Sequence, residues 1–222
     1  MASDAGLLRL LQLFDSQYPV GAFAHSGGIE TYAALGATLP RLRELIENQI
    51  ELGWGRSELA GACLAWRASD AAESDAALAA LARRVHAAKT IPAVRGTSVR
   101  LGKRTLALAQ RLYPDEIAGL VIHPPHHAVV IGATARALGI DVEPMLLALG
   151  HSLAAATLAA ATRCMPVSPV QAQTLLTELH GSLVRAVARA EANPDRSLFT
   201  CTPALDVRAH HQAFLRTRLF QS

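Results

Sequence analysis

Apolar residues recur along most of the chain at intervals of three and four positions, the spacing that puts them on one face of an α-helix. Clear runs occupy residues 6–16, 40–66, 93–113 and 142–164, and prolines or glycines separate them. Strict alternation of apolar and polar residues, which would indicate a half-buried β-strand, is not sustained anywhere. The pattern predicts a single compact all-α domain of about nine or ten helices.

Two of the predicted helices carry details that only the fold can resolve. Gly53 and Gly55 interrupt the second run, where they either bend the helix or let another helix approach closely. Residues 170–192 are predicted to form the last long helix of the chain. Periodicity weakens after it. We therefore divide the chain into a helical domain, residues 1–197, and a loosely held C-terminal tail, residues 198–222.

Composition agrees with this pattern. Hydrophobic residues make up 51% of the chain but aromatic residues only 5%, and the strong helix formers alanine and leucine are abundant. The formal net charge is +3 and the isoelectric point is about 9.0. Outside the C-terminus there is no concentrated basic stripe of the kind that nucleic-acid binding normally requires, so we expect no nucleic-acid partner.

Cysteine usage and one apolar run indicate the compartment. The three cysteines are far apart, and the N-terminus lacks the basic residues of a secretory signal, so we expect a reducing cytoplasm. Residues 145–162 carry no charge and are just long enough to cross a bilayer. They are mostly alanine and include Gly150, His151 and Ser152, so we interpret them as a helix buried among other helices and expect no membrane partner.

Glycine, proline, an aromatic residue and polar groups crowd together in residues 18–30, which we call the signature loop. The mixture predicts a connector of defined shape between two helices, because proline fixes its φ angle and glycine permits backbone shapes closed to other residues. Ser26 is expected to cap a short helix over residues 28–35, with a carboxylate in its first turn. The positions that define the loop are Pro19, Gly21, Phe23, Ser26, Gly28 and Glu30.

Two segments have partial features of catalytic or nucleotide-binding motifs. The residues around Ser26 resemble the sharp turn that holds a catalytic serine, but the strand that must precede it is missing. A small helical hydrolase using Ser26 with one of the histidines remains a minor alternative. Residues 96–105 are one residue too long for a phosphate loop, and Arg104 stands where serine or threonine must follow the lysine. We therefore expect any nucleotide to reside on another chain.

Three histidines, His123, His126 and His127, lie in a loop with two prolines and are weak candidates for binding a soft divalent metal. No cysteine or carboxylate stands close by in sequence to complete a coordination shell. We expect no metal site here. A nickel-binding metallochaperone that uses these three histidines stays open as an alternative function.

Five motifs, in order along the chain, resemble the urease accessory protein UreF family. The signature loop is the first of them, and an arginine, a serine and a glycine within one predicted helix form the second. Together the motifs cover almost the whole chain. They are residues 18–30; Arg95, Ser98 and Gly102; residues 126–132; residues 163–167; and the tail segments 203–206 and 217–222.

The resemblance implies an all-helical, non-enzymatic cytoplasmic protein that forms homodimers. Similar proteins bind the accessory protein UreD (also called UreH), and the pair recruits the GTPase UreG. The assembly docks on apo-urease and helps deliver nickel to its metallocentre in a GTP-dependent step. The resemblance thus implies no cofactor of the chain's own, with nickel and GTP handled by the partner proteins.

The tail combines apolar anchors with arginines, a pattern typical of a segment that orders on a partner. Apolar side chains would fill a groove, and arginines would pair with carboxylates. The resemblance implies that the partners bound by the tail are UreD and UreG. The predicted partner-binding residues are Arg208, Phe214, Leu215, Arg216, Arg218, Leu219 and Phe220.

A second basic segment lies in the run 93–113. It is either a solvated helix face or part of an interface, and the sequence leaves both open. Its charged residues are Arg95, Arg100, Lys103, Arg104 and Arg111.

Overall fold

The computed structural model describes residues 4–21, 26–71, 74–215 and 219–220. Within these ranges the chain forms helices and turns and no strand, so the predicted all-α class is confirmed. The helices are α1 (Asp4–Leu13), α2 (Ile29–Ala34), α3 (Leu39–Leu52), α4 (Trp54–Ala68), α5 (Ser74–Ala88), α6 (Pro92–Leu112), α7 (Pro114–Ile117), α8 (His127–Ala137), α9 (Val142–Cys164), α10 (Pro169–Glu178), α11 (His180–Ala192), α12 (Pro194–Ser197) and α13 (Pro203–His211).

The centre of the fold is α8, which is enclosed by α4 and α6 and contacts α9. Its residues from Ala128 to Ala135 are all buried, so it lacks the polar face that surface helices carry. Gly132 permits this enclosure, because a Cβ there would lie 2.1 Å from the backbone oxygen of Ala62 on α4. The two backbones therefore meet at a distance that only glycine allows.

Helix α9 has the bounds that the sequence predicts. It is the one helix in the described ranges that is long and apolar enough to cross a membrane by length and composition. Its buried residues include Met145, Leu149 and Leu158, and it packs against helices on several sides, among them α2, α4, α10 and α11. This is the packing of a core helix.

The glycines near Trp54 separate two helices. Helix α3 ends at Leu52 and α4 begins at Trp54, so the run is divided at Gly53 and is not one bent helix. Gly55 allows the junction to be tight, because a Cβ there would lie 2.1 Å from the backbone oxygen of Ile50.

The prediction of one helix over residues 170–192 is wrong at Leu179, which separates α10 from α11. The N–H of Leu179 donates to the carbonyl oxygens of both Leu175 and Leu176, so the turn tightens there. Leu175, Leu176, Leu179 and Leu183 are all buried in the core. Helical periodicity continues through the break, and the sequence pattern therefore does not reveal it.

Replacing Gly132 with alanine is expected to lower the free energy of unfolding by about 1–3 kcal/mol, because the added methyl group overpacks a backbone contact. Urea denaturation measures the loss. The control is Gly119→Ala, where a Cβ meets nothing within 4 Å, and it should change stability by less than about 0.5 kcal/mol. Equal stability of the two variants would contradict the close contact between α4 and α8.

Candidate functional site

The signature loop and the tail form one site. Most of the loop's defining positions are described, whereas Phe23 lies outside the described residues. Gly21 and Gly28 adopt positive φ angles of 78° and 95°, the conformation that glycine tolerates and other residues rarely adopt. The described parts of the loop, residues 18–21 and 26–30, thus have the defined shape that the composition predicts.

The tail crosses the loop at α2. The hydroxyl of Thr31 donates to the carbonyl oxygen of Arg208 over 3.0 Å, and a Cβ at Gly28 would lie 3.2 Å from the backbone nitrogen of Ala209. Glycine at this position therefore serves two needs at once, the turn that starts α2 and the close approach of α13.

A buried carboxylate fastens the tail beyond α13. Glu30 is only 6% exposed, and its two oxygens accept hydrogen bonds from the amide group of Gln212, at 3.0 Å, and from the backbone N–H of Leu219. The hydroxyl of Ser26 donates to the Gln212 side-chain oxygen at 3.1 Å. A buried charge is costly unless hydrogen bonds satisfy it, so these contacts make the tail part of the loop's folded structure.

Ser26 does not cap α2 as expected. The residue in the N-cap position is Gly28, which has no side chain, and the Ser26 hydroxyl is directed to Gln212 instead. The Ser26 side chain thus bonds the tail and does not accept a hydrogen bond from a backbone N–H in the first turn of α2. In the described part of the chain this hydroxyl meets an amide and no imidazole, and no strand precedes it, so the geometry gives no support to the hydrolase alternative.

The predicted partner-binding residues differ in their surroundings. Phe214 and Leu219 have exposed fractions of 74% and 63%, whereas Phe220 is 4% exposed and its ring lies 4.6 Å from the Arg163 guanidinium carbon. Leu215 is half-buried. Phe220 therefore packs against its own chain, and the exposed apolar surface of the tail comes from Phe214 and Leu219.

The arginines of the tail are only partly described. Arg208 is half-buried on α13, where its carbonyl oxygen accepts the hydrogen bond from Thr31. Arg216 and Arg218 lie outside the described residues.

A second group of buried polar side chains lies where α4, α5, α6 and the start of α8 meet. Lys89 and Glu58 form a buried ion pair and hydrogen bond. His126 is fully buried, with Nδ1 3.1 Å from the Ser98 hydroxyl and Nε2 3.1 Å from Nδ1 of His86. Two members of this cluster, Ser98 and His126, belong to the sequence motifs, whereas Glu58 and Lys89 are 31 positions apart and share no motif.

Two of these groups have shifted pKa values. Burial alone would raise the pKa of Glu58, but the adjacent charge and hydrogen bond of Lys89 more than offset it, so the pKa lies below its usual value. Burial, together with the charge of Lys89, lowers the pKa of His126 to about 4. Glu58 is therefore ionised and His126 neutral at pH 7.

The three candidate metal-binding histidines do not come together as a ligand set. His123 is exposed, and both ring nitrogens of His126 are already engaged with Ser98 and His86. Burial lowers the pKa of His127. The described residues contain no group of three or more His, Cys, Asp or Glu side chains suited to hold a metal ion.

The glycine in the second motif has a structural explanation. A Cβ at Gly102 would lie 1.9 Å from the backbone oxygen of Pro125, so α6 contacts the backbone that leads into α8. Ser98, one turn earlier on α6, is thereby placed against His126 and also receives the N–H of His127 at 3.4 Å. The motif holds the buried histidine in position.

A cleft of about 170 Å³ connects the two polar groups. Its lining includes Ser26, the pair Glu58 and Lys89, and Asp206 of α13. Burial raises the pKa of Asp206. The remaining lining is largely apolar, so the cleft separates the tail helix from the body without assembling a nucleophile and a base.

The fold and the site define the class of protein. It is an all-helical protein in which hydrogen bonds hold a short tail of apolar and basic residues against a glycine-rich loop. The UreF family model matches residues 38–180, more than half of the chain. The chain therefore belongs to the UreF family.

Curated relatives agree over nearly the full length. The urease accessory protein UreF of Actinobacillus pleuropneumoniae is 30% identical over 96% of this chain and 97% of its own length. That of Haemophilus influenzae (strain PittEE) is 29% identical over 96% and 94%, and that of Nostoc sp. (strain PCC 7120) is 26% identical over 99% and 97%. The resemblance seen in the motifs is thus confirmed. The alignments with these relatives also include most of the residues before position 38 and after position 180.

Changing Glu30 to glutamine is expected to loosen the tail, because an NH2 group then faces one of the two donors that the carboxylate accepts. Hydrogen exchange at the Leu219 amide should become about tenfold faster, the effect of losing one charge-assisted hydrogen bond. Mass spectrometry of the tail peptides measures it. Glu44→Gln, an exposed change on α3, is the control; unchanged exchange at Leu219 in the Glu30 variant would refute the contact.

Acidification is expected to destabilise the fold through His126. Its native pKa of about 4 lies below the unfolded value of 6.5, so between these pH values the unfolded state binds more protons. Stability should fall by at most about 3 kcal/mol as pH drops across this window.

Urea denaturation at several pH values tests the assignment. His126→Gln should flatten the pH dependence, whereas the exposed control His123→Gln should keep the wild-type slope. Identical slopes in all three proteins would show that His126 is not the group responsible.

Proposed function

We propose that the protein assists urease maturation as a non-enzymatic scaffold in the cytoplasm. It acts as a homodimer with UreD (UreH) and the GTPase UreG, and this assembly inserts nickel into apo-urease in a GTP-dependent step. Membership of the UreF family supports the urease accessory role. The named partners, the nickel step and the dimer extend that role on the basis of the motif resemblance.

The observation that carries the scaffold role is the construction of the tail. Glu30 and Gln212 fasten it to the signature loop, while Phe214 and Leu219 remain exposed beside it. Large exposed apolar side chains on a folded segment are typical anchors for another protein. We assign these two residues to the contact with UreD.

Nucleotide and metal are proposed to reside on the partners. Residues 96–105 lie within α6, a continuous helix whose backbone N–H groups are committed to helical hydrogen bonds and do not form a phosphate-binding loop. The geometry around His126 likewise favours a packing role for that residue over metal transfer. GTP therefore belongs to UreG, and nickel passes to urease without a resident site built on these histidines.

Charge substitution in the tail tests the partner contact. The double variant Phe214→Asp, Leu219→Asp should keep the thermal stability of the wild type, because both side chains are largely exposed, and should lose capture of co-expressed UreD by at least about tenfold. The control is Val170→Asp, Val184→Asp, whose side chains are 75% and 56% exposed on α10 and α11. Affinity purification followed by quantification of UreD is the measurement. Undiminished capture by the tail variant would exclude these anchors.

A further inference from the structure

Positive charge is concentrated in one continuous part of the chain. Residues 76–114 contain eight of the 21 Lys and Arg residues and none of the 18 Asp and Glu residues. Helix α6 lies within this segment and contains no acidic residue along its 21 positions. The chain is nearly balanced overall, with a net charge of +3, so the excess is local.

Helix α6 turns its charges outward on one face. Ser98, Gly102, Thr105 and Ala109 are buried on the inner side, where α6 packs against α8. Four cations are exposed on the outer side, at positions that fall within about 100° of helical arc and extend about 16 Å along the axis. We call them the α6 strip: Arg100, Lys103, Arg104 and Arg111.

The strip has no carboxylate partner among the described residues, although cations elsewhere do. Arg9, Arg84 and Arg136 each form an ion pair with an acidic side chain. Within the strip, like charges stand three and four positions apart, which destabilises a helix by about 0.2–0.5 kcal/mol per pair. An external acidic surface would offset this repulsion.

The strip adjoins the site already described. Arg104 reaches the signature loop and donates to the carbonyl oxygen of Val20 at 3.2 Å. Helix α13 of the tail also packs against α6. After Asp206 the tail itself has no further acidic residue. A partner bound to the tail would therefore extend onto the α6 strip, and both surfaces are basic.

We propose that the α6 strip docks an acidic face of a partner protein of urease maturation, beside the tail. A protein fits better than a nucleic acid, because α6 carries no aromatic residue on which bases could stack and the strip is one row on one helix. The inference rests on the proposed function and adds to it a second contact surface that works through charge.

Neutralising the strip tests the docking. The variant Arg100→Gln, Lys103→Gln, Arg111→Gln leaves Arg104 on its loop contact and removes three charges. The control variant Arg41→Gln, Arg185→Gln, Arg196→Gln removes three exposed charges from other helices. Both variants have the same net charge. A difference between their association rates therefore shows that the location of the removed charges matters. Circular dichroism and thermal denaturation establish that both fold.

Purified UreD, UreG and apo-urease, each immobilised separately, are the probes. At about 50 mM salt the strip variant should associate about tenfold more slowly with at least one of them, the control should match the wild type within about twofold, and the difference should shrink at about 0.5 M salt. Equal loss in both variants, or none in the strip variant, overturns the docking while leaving the tail contact intact.

Two further outcomes separate this inference from the proposed function. If the wild type binds none of the three probes, the proposed function fails and the docking fails with it. If the wild type binds a duplex DNA of about 20 base pairs at about 150 mM salt, and the strip variant does not, the strip is a nucleic-acid surface and the proposal is overturned.

Discussion

The structure depends on backbone-to-backbone contacts that only glycine permits. Gly132 lets α8 approach α4, and Gly102 lets α6 approach the segment before α8. Because α8 is buried on every side, its neighbours must come this close to leave no void. The same approach places Ser98 and His126 within hydrogen-bonding distance, so the packing of small residues also positions the buried polar group.

Two buried carboxylates are satisfied in different ways. Glu58 pairs with Lys89, a cation that is itself buried, whereas Glu30 accepts hydrogen bonds from an amide side chain and a backbone N–H. The first arrangement joins α4 to the residue that follows α5. The second joins the body to the tail through neutral donors, an amide group and a backbone N–H. The tail is thus held to the body by hydrogen bonds to Glu30.

Exposed apolar residues and exposed cations occupy two neighbouring parts of the molecular surface. The tail presents Phe214 and Leu219, and α6 beside it presents cations that have no carboxylate partner among the described residues. Apolar anchors supply affinity, while basic rims mainly accelerate encounter with an acidic surface. Both features border the signature loop, which therefore lies at the junction between the two faces.

The helical class, the bounds of α9 and the importance of the signature loop followed from sequence, because periodicity and glycine–proline clusters are local properties. The break at Leu179 could not be predicted from the sequence, because the tightened turn there keeps the helical spacing of apolar residues. Only the tertiary structure decided that Ser26 bonds Gln212, that Glu30 holds the tail and that Lys89 meets Glu58. These partners are up to 189 positions apart, and their pairing arises from packing, which no local spacing encodes.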